Sequence, residues 1–148
     1  MTRDFTATTF VVQEGRTLLL MHRKLGAWFP PGGHIDENEL PDDAARREVL
    51  EESGLVVELV SHKSNLGGVG VLSQPECILL EDISSDHQHI DLIYFARVTG
   101  GKLSVSPSEA IDYRWCSEID LEAPDIHEDI RRLGQQAIHK VSEFEKKE

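Results

Sequence analysis

The stretch Leu25-Gly-Ala-Trp-Phe-Pro-Pro-Gly-Gly33 constrains this chain more than any other, because paired prolines followed by paired glycines exclude helix and force a stiff, specially shaped loop. Pro41 then suits the first turn of a helix, Asp42 and Asp43 suit its positive end, and Gly54 suits a left-handed stop after Ser53. A helix is predicted over residues 41–53. Gly32 and Gly33 carry no side-chain bulk, so the turn before this helix can bring backbone carbonyl and amide groups close to a ligand. Loop and helix are expected to share one site.

On a helix each residue advances about 100°, which places Glu48, Glu51 and Glu52 on one side. Like charges at i, i+3 and i+4 destabilise a bare helix by roughly a few tenths of a kcal/mol per pair. A divalent cation would reverse that sign. Carboxylate oxygens suit Mg²⁺, with Mn²⁺ as the second choice, rather than the His and Cys ligands of zinc sites. Arg47 faces away from the centre of the acidic arc, and its planar guanidinium can hold a carboxylate bidentately, either Glu39 or a helix glutamate. A lone acidic cluster is usually a solvated helix face, so the decision rests on the longer spacing.

That spacing is Gly33, five residues, Glu39, seven residues, then Arg47-Glu48-Val49-Leu50-Glu51-Glu52-Ser53-Gly54-Leu55. It resembles the Nudix box at every specified position, a coincidence expected in on the order of one chain in a million of this composition. The resemblance implies an α/β fold, the Nudix α/β/α sandwich, with a central mixed β-sheet, a catalytic helix at about 41–53 and a C-terminal amphipathic helix. By matching position it implies Glu48, Glu51 and Glu52 as catalytic carboxylates and metal ligands, joined by the Gly33 carbonyl. Glu39, Arg47, Gly32, Gly33 and Gly54 become structural support of that site.

The general base varies within the family. Glu109, in the acidic loop leading to Trp115, is the candidate outside the box, against the plain reading of a solvated loop carboxylate. Arg23, closing the second strand, is a candidate contact for a terminal phosphate. The implied activity is metal-dependent hydrolysis of a phosphoric anhydride bond in a nucleoside diphosphate linked to another group. (Deoxy)nucleoside triphosphates and ADP-ribose-like compounds rank nearly level as substrates. The rival readings are a non-nucleotide diphosphate hydrolase and a catalytically silent nucleotide-binding module.

The remainder of the chain fits one domain over residues 1–148, long enough to bury a core without disulfides. Its 39% apolar and 28% charged residues separate it from disordered compositions. The net charge of −12 disfavours a stable nucleic acid partner, and an acidic protein that handles phosphates needs bound cations at its site. Short β-prone runs are predicted at 5–12 and 17–21, paired as a hairpin, and at 55–60, 76–80, 89–98 and 111–115. Ile126, Ile130, Leu133, Ala137, Ile138, Val141 and Phe144 recur at helical steps, predicting an amphipathic helix within 125–145. Asn65 to Gly70 lacks the context of a phosphate loop and is expected to be irregular.

Cys77 and Cys116 have no CxxC spacing and are expected to be unpaired or buried thiols. His87 and His89 form an H-x-H pair with no third ligand identifiable in sequence, so surface histidines are expected. Trp28, Phe29, Tyr94 and Phe95 are expected mostly in the core rather than stacked on a base. No apolar run reaches the roughly 18 residues of a membrane span and the first residues lack a secretory core, so a cytoplasmic location is expected. A monomer and a homodimer are equally compatible with the sequence.

Overall fold

The computed structural model describes residues 1–62 and 64–148. Strands β1 (Thr2–Gln13) and β2 (Arg16–His22) form the predicted antiparallel hairpin. Its turn residues Glu14 and Gly15 have φ of 51° and 75°, the primed turn geometry whose twist matches that of paired strands.

The rigid loop departs from expectation. It contributes two short strands to the sheet, β3 (Trp28–Phe29) against β2 and β4 (Gly32–His34) against β1. The prolines hold the backbone extended and leave their carbonyls free, and the Pro31 carbonyl accepts the Thr9 N–H at 2.9 Å. The stiff turn is thereby welded to the central sheet.

Helix α1 spans Pro41–Ser53, as the capping residues predict, and Gly54 ends it with φ of 75° and its N–H on the Leu50 carbonyl at 2.9 Å. Strands β5 (Leu55–Leu59), β6 (Cys77–Ser84), β7 (His87–Gly101) and β8 (Ala110–Cys116) follow. A short 3₁₀ turn (Asp120–Glu122) then leads to α2 (Glu128–Lys146). Helix α2 starts later than the apolar periodicity suggests, with Ile126 buried in its approach. Residues 65–70 adopt no regular structure.

The sheet runs β3-β2-β1-β7-β5, with β4 beside β1, β6 beside β7 and β8 beside β2. It is mixed because β1 and β7 pair in parallel from Thr2↔His87 to Val12↔Arg97 while the other pairings are antiparallel. Side chains alternate across a strand, and β1 shows the result. Ala7 and Val11 pack towards Ala44, Ala45 and Val49 of α1, whereas Phe10 and Val12 pack towards Ile130, Ala137 and Val141 of α2. This is an α/β/α sandwich. Phe10, Leu18, Leu19, Ile93 and Phe95 are each less than 2% exposed, and burying one such side chain stabilises the fold by about 1.5–3 kcal/mol.

Both cysteines are free. Burial pushes the Cys116 thiol up to about 11 and raises that of Cys77, so neither is an activated nucleophile. Among the described residues no helix is long and apolar enough to cross a membrane.

Candidate active site

Two glutamates of α1 meet the glycine turn. The Glu52 carboxylate, 8% exposed, accepts the Gly32 N–H at 2.9 Å. Gly33 lies against Glu48: a Cβ on Gly33 would stand 2.6 Å from the Glu48 carboxyl carbon, so only glycine permits this approach. Pro30 and Pro31 set the path of the turn, its pairing with β1 fixes its height, and α1 delivers the carboxylates from below.

The electrostatics of this junction are unfavourable without a counter-ion. Burial first, and then the neighbouring Glu48 charge, push the Glu52 carboxyl up to about 9, with Glu109 adding a smaller contribution in the same direction. The oxygen donors assembled here are two carboxylates and the adjoining glycine backbone. That set fits a hard divalent cation and offers no imidazole or thiolate to a softer one.

Arg47 organises the outer side. It grips Glu39 bidentately, Nε to Oε2 at 2.8 Å and Nη2 to Oε1 at 2.9 Å, while Nη1 donates to Glu48 at 2.9 Å and Nη2 to the His34 carbonyl at 2.9 Å. Glu39 also accepts the Asp36 N–H at 3.0 Å. The Arg47 guanidinium holds the Glu39 carboxyl below its ordinary value, and Glu39 in turn raises the basicity of Arg47. One cation thus ties the loop, the turn and the helix together.

A cleft of about 690 Å³ opens from this junction, a size suited to a small molecule. Gly32, Gly33, Glu48, Glu52 and Glu109 line it, together with Phe29, Leu79, Leu133, Glu81 and Asp91. Thr6 and Thr8 each donate to Asp91 at 2.9 Å, fixing its carboxylate. Burial and then the Asp91 charge push Glu81 up to about 8.

Not every expected residue is brought in. Glu51 does not line the cleft; its side chain is 59% exposed and meets Arg47 at 3.2 Å, because the turn of the helix that aims Glu48 and Glu52 inward leaves Glu51 on the outer edge. Arg23 is likewise outside the lining, with Nε donating to the Pro107 carbonyl at 2.8 Å and its N–H to the Glu109 carbonyl at 3.0 Å. The position gives it a hold on the loop that carries Glu109. Of the aromatics, Trp28, Tyr94 and Phe95 are buried, whereas Phe29 reaches the cleft.

Sequence reasoning missed Thr6, Thr8, Glu81 and Asp91. It also left His87 and His89 without partners. The fold supplies two, since Asp4 and His34 converge on them. Burial, then His34 and His87, lower the His89 imidazole below its ordinary value. The alternation His87, His89, Asp91 signals one shared strand face, but nothing local says that β1 lies alongside.

A mixed sheet between two helices, with an acidic helix docked on a glycine turn beside a nucleotide-sized cleft, defines a class. The chain matches the NUDIX domain over residues 2–136, and it belongs to the Nudix hydrolase family. A Nudix-family hydrolase from Clostridium perfringens superposes with a TM-score of 0.86 at 35% identity, covering 95% of this chain and 99% of that one. A Bacillus subtilis protein provisionally named as an 8-oxo-dGTP diphosphatase is 31% identical over 112 residues, 75% of this chain and 64% of the relative. The oxidized purine nucleoside triphosphate hydrolase of Mus musculus is 38% identical over 82 residues, 53% of this chain and 52% of the relative. The chain thus spans between about half and two thirds of the length of these curated relatives.

Proposed function

We propose that this protein hydrolyses a phosphoric anhydride bond of a nucleoside triphosphate, with an oxidised purine nucleotide as the leading substrate and Mg²⁺, or Mn²⁺, as cofactor. The observation that carries the reading is the convergence of Glu48 and Glu52 on the backbone of Gly32 and Gly33 in a cleft that is also lined by apolar side chains and by the Glu81 and Asp91 carboxylates. The names borne by the Bacillus subtilis and mouse relatives favour oxidised purines over the ADP-ribose-like compounds that the motif alone ranks level.

Glu48, Glu52 and the Gly33 carbonyl would hold the cation. When bound, it neutralises phosphate oxygens and acidifies a water molecule. The chain's own residues do the rest. Glu109, which lines the same cleft and whose charge is felt by Glu52, takes the proton of the attacking water. Arg47 positions Glu48, and Glu39 positions Arg47. Phe29, Leu79 and Leu133 enclose the base, while Asp91, held by two threonines, accepts hydrogen bonds from its edge.

The test is a substrate panel followed by phosphorus NMR in Mg²⁺, spanning oxidised purine triphosphates, ADP-ribose-like compounds and non-nucleotide diphosphates. An oxidised purine triphosphate is expected to turn over best, and Glu52→Gln is expected to lower that rate by about 100-fold or more with the fold retained. Nucleotide that binds and stays intact would establish the silent binding module instead. Preferred cleavage of an inositol or isoprenoid diphosphate would move the substrate class.

A further inference from the structure

The open rim of the cleft carries a second cluster whose chemistry differs from that of the glutamates. Asp4 on β1 lies directly opposite His89 on β7, and His87 sits two residues earlier on the same face. His34, on β4, stands opposite Thr6, two residues along β1 from Asp4 and again on that face. Strands β1 and β7 therefore bring two imidazoles and one carboxylate together, and β4 sets the His34 imidazole beside Asp4.

The spacing of Asp4, His87 and His89 lets one ion reach all three, with His34 next to Asp4. Asp4 Oδ2 lies 3.1 Å from His34 Nε2 and 3.2 Å from His87 Nε2, and ligand atoms of Asp4, His87 and His89 all fall within 4.8 Å of one another. Ligands held at roughly 2.0 Å in a tetrahedron stand roughly 3.3 Å apart. The His89 ring meets the His34 and His87 rings edge-on, with centroids at 5.1 and 5.2 Å.

The support around the ligands is built as well. Thr2 Oγ1 lies 2.7 Å from His87 Nδ1 and donates to the Asp86 carbonyl at 3.4 Å. With an ion bound at Nε2, His87 would carry its proton on Nδ1 and donate it to Thr2 Oγ1. Second partners of this kind orient metal-bound histidines. The His34 and Asp4 side chains are 59% and 48% exposed, so an ion has a path in.

We propose that Asp4, His34, His87 and His89 form a binding site for a divalent transition-metal ion of the Zn²⁺ class, separate from the carboxylate site on α1. Imidazole donors select Zn²⁺, Ni²⁺ or Cu²⁺ over Mg²⁺, so the two sites sort ions by ligand type. Occupancy links β1, β4 and β7 at the end of the sheet where β4 also carries Gly32 and Gly33.

Zn²⁺ titrated calorimetrically into the whole protein, with excess Mg²⁺ present to fill the carboxylate site, tests this. One equivalent is expected to bind, to raise Tm, and to shift the imidazole resonances of His34, His87 and His89 in the proton NMR spectrum. His87→Ala and Asp4→Asn, each checked for native far-ultraviolet circular dichroism, are expected to weaken binding by at least tenfold, and Thr2→Val by about tenfold. Glu52→Gln should retain the full equivalent. Absence of stoichiometric uptake, uptake unchanged in both His87→Ala and Asp4→Asn, or loss of uptake in Glu52→Gln alone would overturn the assignment.

Discussion

Arg47 shows how one side chain sets the protonation of its neighbours. Its bidentate grip lowers the Glu39 carboxyl from the ordinary 4.5, so the native state favours the ionised form more than the unfolded chain does. That stabilisation is present above the ordinary carboxylate value and is lost as pH falls through the lowered one. Glu39→Gln is expected to cost about 1 kcal/mol at neutral pH, with the two proteins' urea midpoints converging in acid. Glu52 has the opposite sign. Its carboxyl is pushed up to about 9, so in cation-depleted buffer stability should fall as pH rises from the ordinary 4.5 towards that value. Glu52→Gln, although impaired in turnover, should then unfold at a higher temperature than wild type in EDTA; a lower Tm at pH 8 would contradict this. The partnership of Arg47, Glu39 and the helix glutamates was legible in the sequence because all lie within a short local span. The partners of Asp4, His34 and Asp91 were not, since His34 reaches Asp4 through the antiparallel β1–β4 pairing and Asp91 reaches Thr6 through a parallel register joining residues 85 positions apart.

At the scale of elements, α1 matched its predicted bounds because Pro41, the acidic first turn and Gly54 are local signals. Strand β4 was hidden, as its pairing is decided by the edge that β1 offers and not by its own Gly-Gly-His sequence. The two glycines flanking the helix should respond differently to a methyl group. Gly33→Ala would force the Glu48 carboxylate aside, and a displacement of about 1 Å at a reacting centre costs roughly 100-fold in rate. The expected signature is a lowered kcat with little change in Tm. Gly54→Ala meets the Lys102 carbonyl and must hold φ near 75°, costing roughly 1–3 kcal/mol in stability. A Gly33→Ala enzyme with unaltered kcat would show that the glycine is there for the turn alone.

For the molecule as a whole, a net charge of −12 sets the order in which ligands can arrive. Nucleotide alone meets a repulsive surface, and Mg²⁺ weakens that repulsion by offsetting part of the phosphate charge. A non-hydrolysable triphosphate at a hundred times its Kd is expected to stabilise the fold by about 2.7 kcal/mol in Mg²⁺, read as a thermal shift that EDTA removes. An equal shift in EDTA would show that cations are dispensable for binding. The layered architecture was legible from the alternation of strand and helix periods and from the box, while the strand order was not, because β1 and β7 carry no complementary mark in their sequences.

The parallel pairing of β1 with β7 also orders events during synthesis. The ribosome releases the first hairpin and the acidic helix well before β7, so the nascent chain displays its glutamates with no floor beneath the cleft. Long-range parallel closure is intrinsically slow, and the pocket therefore comes into being only once the seventh strand has threaded in beside the first.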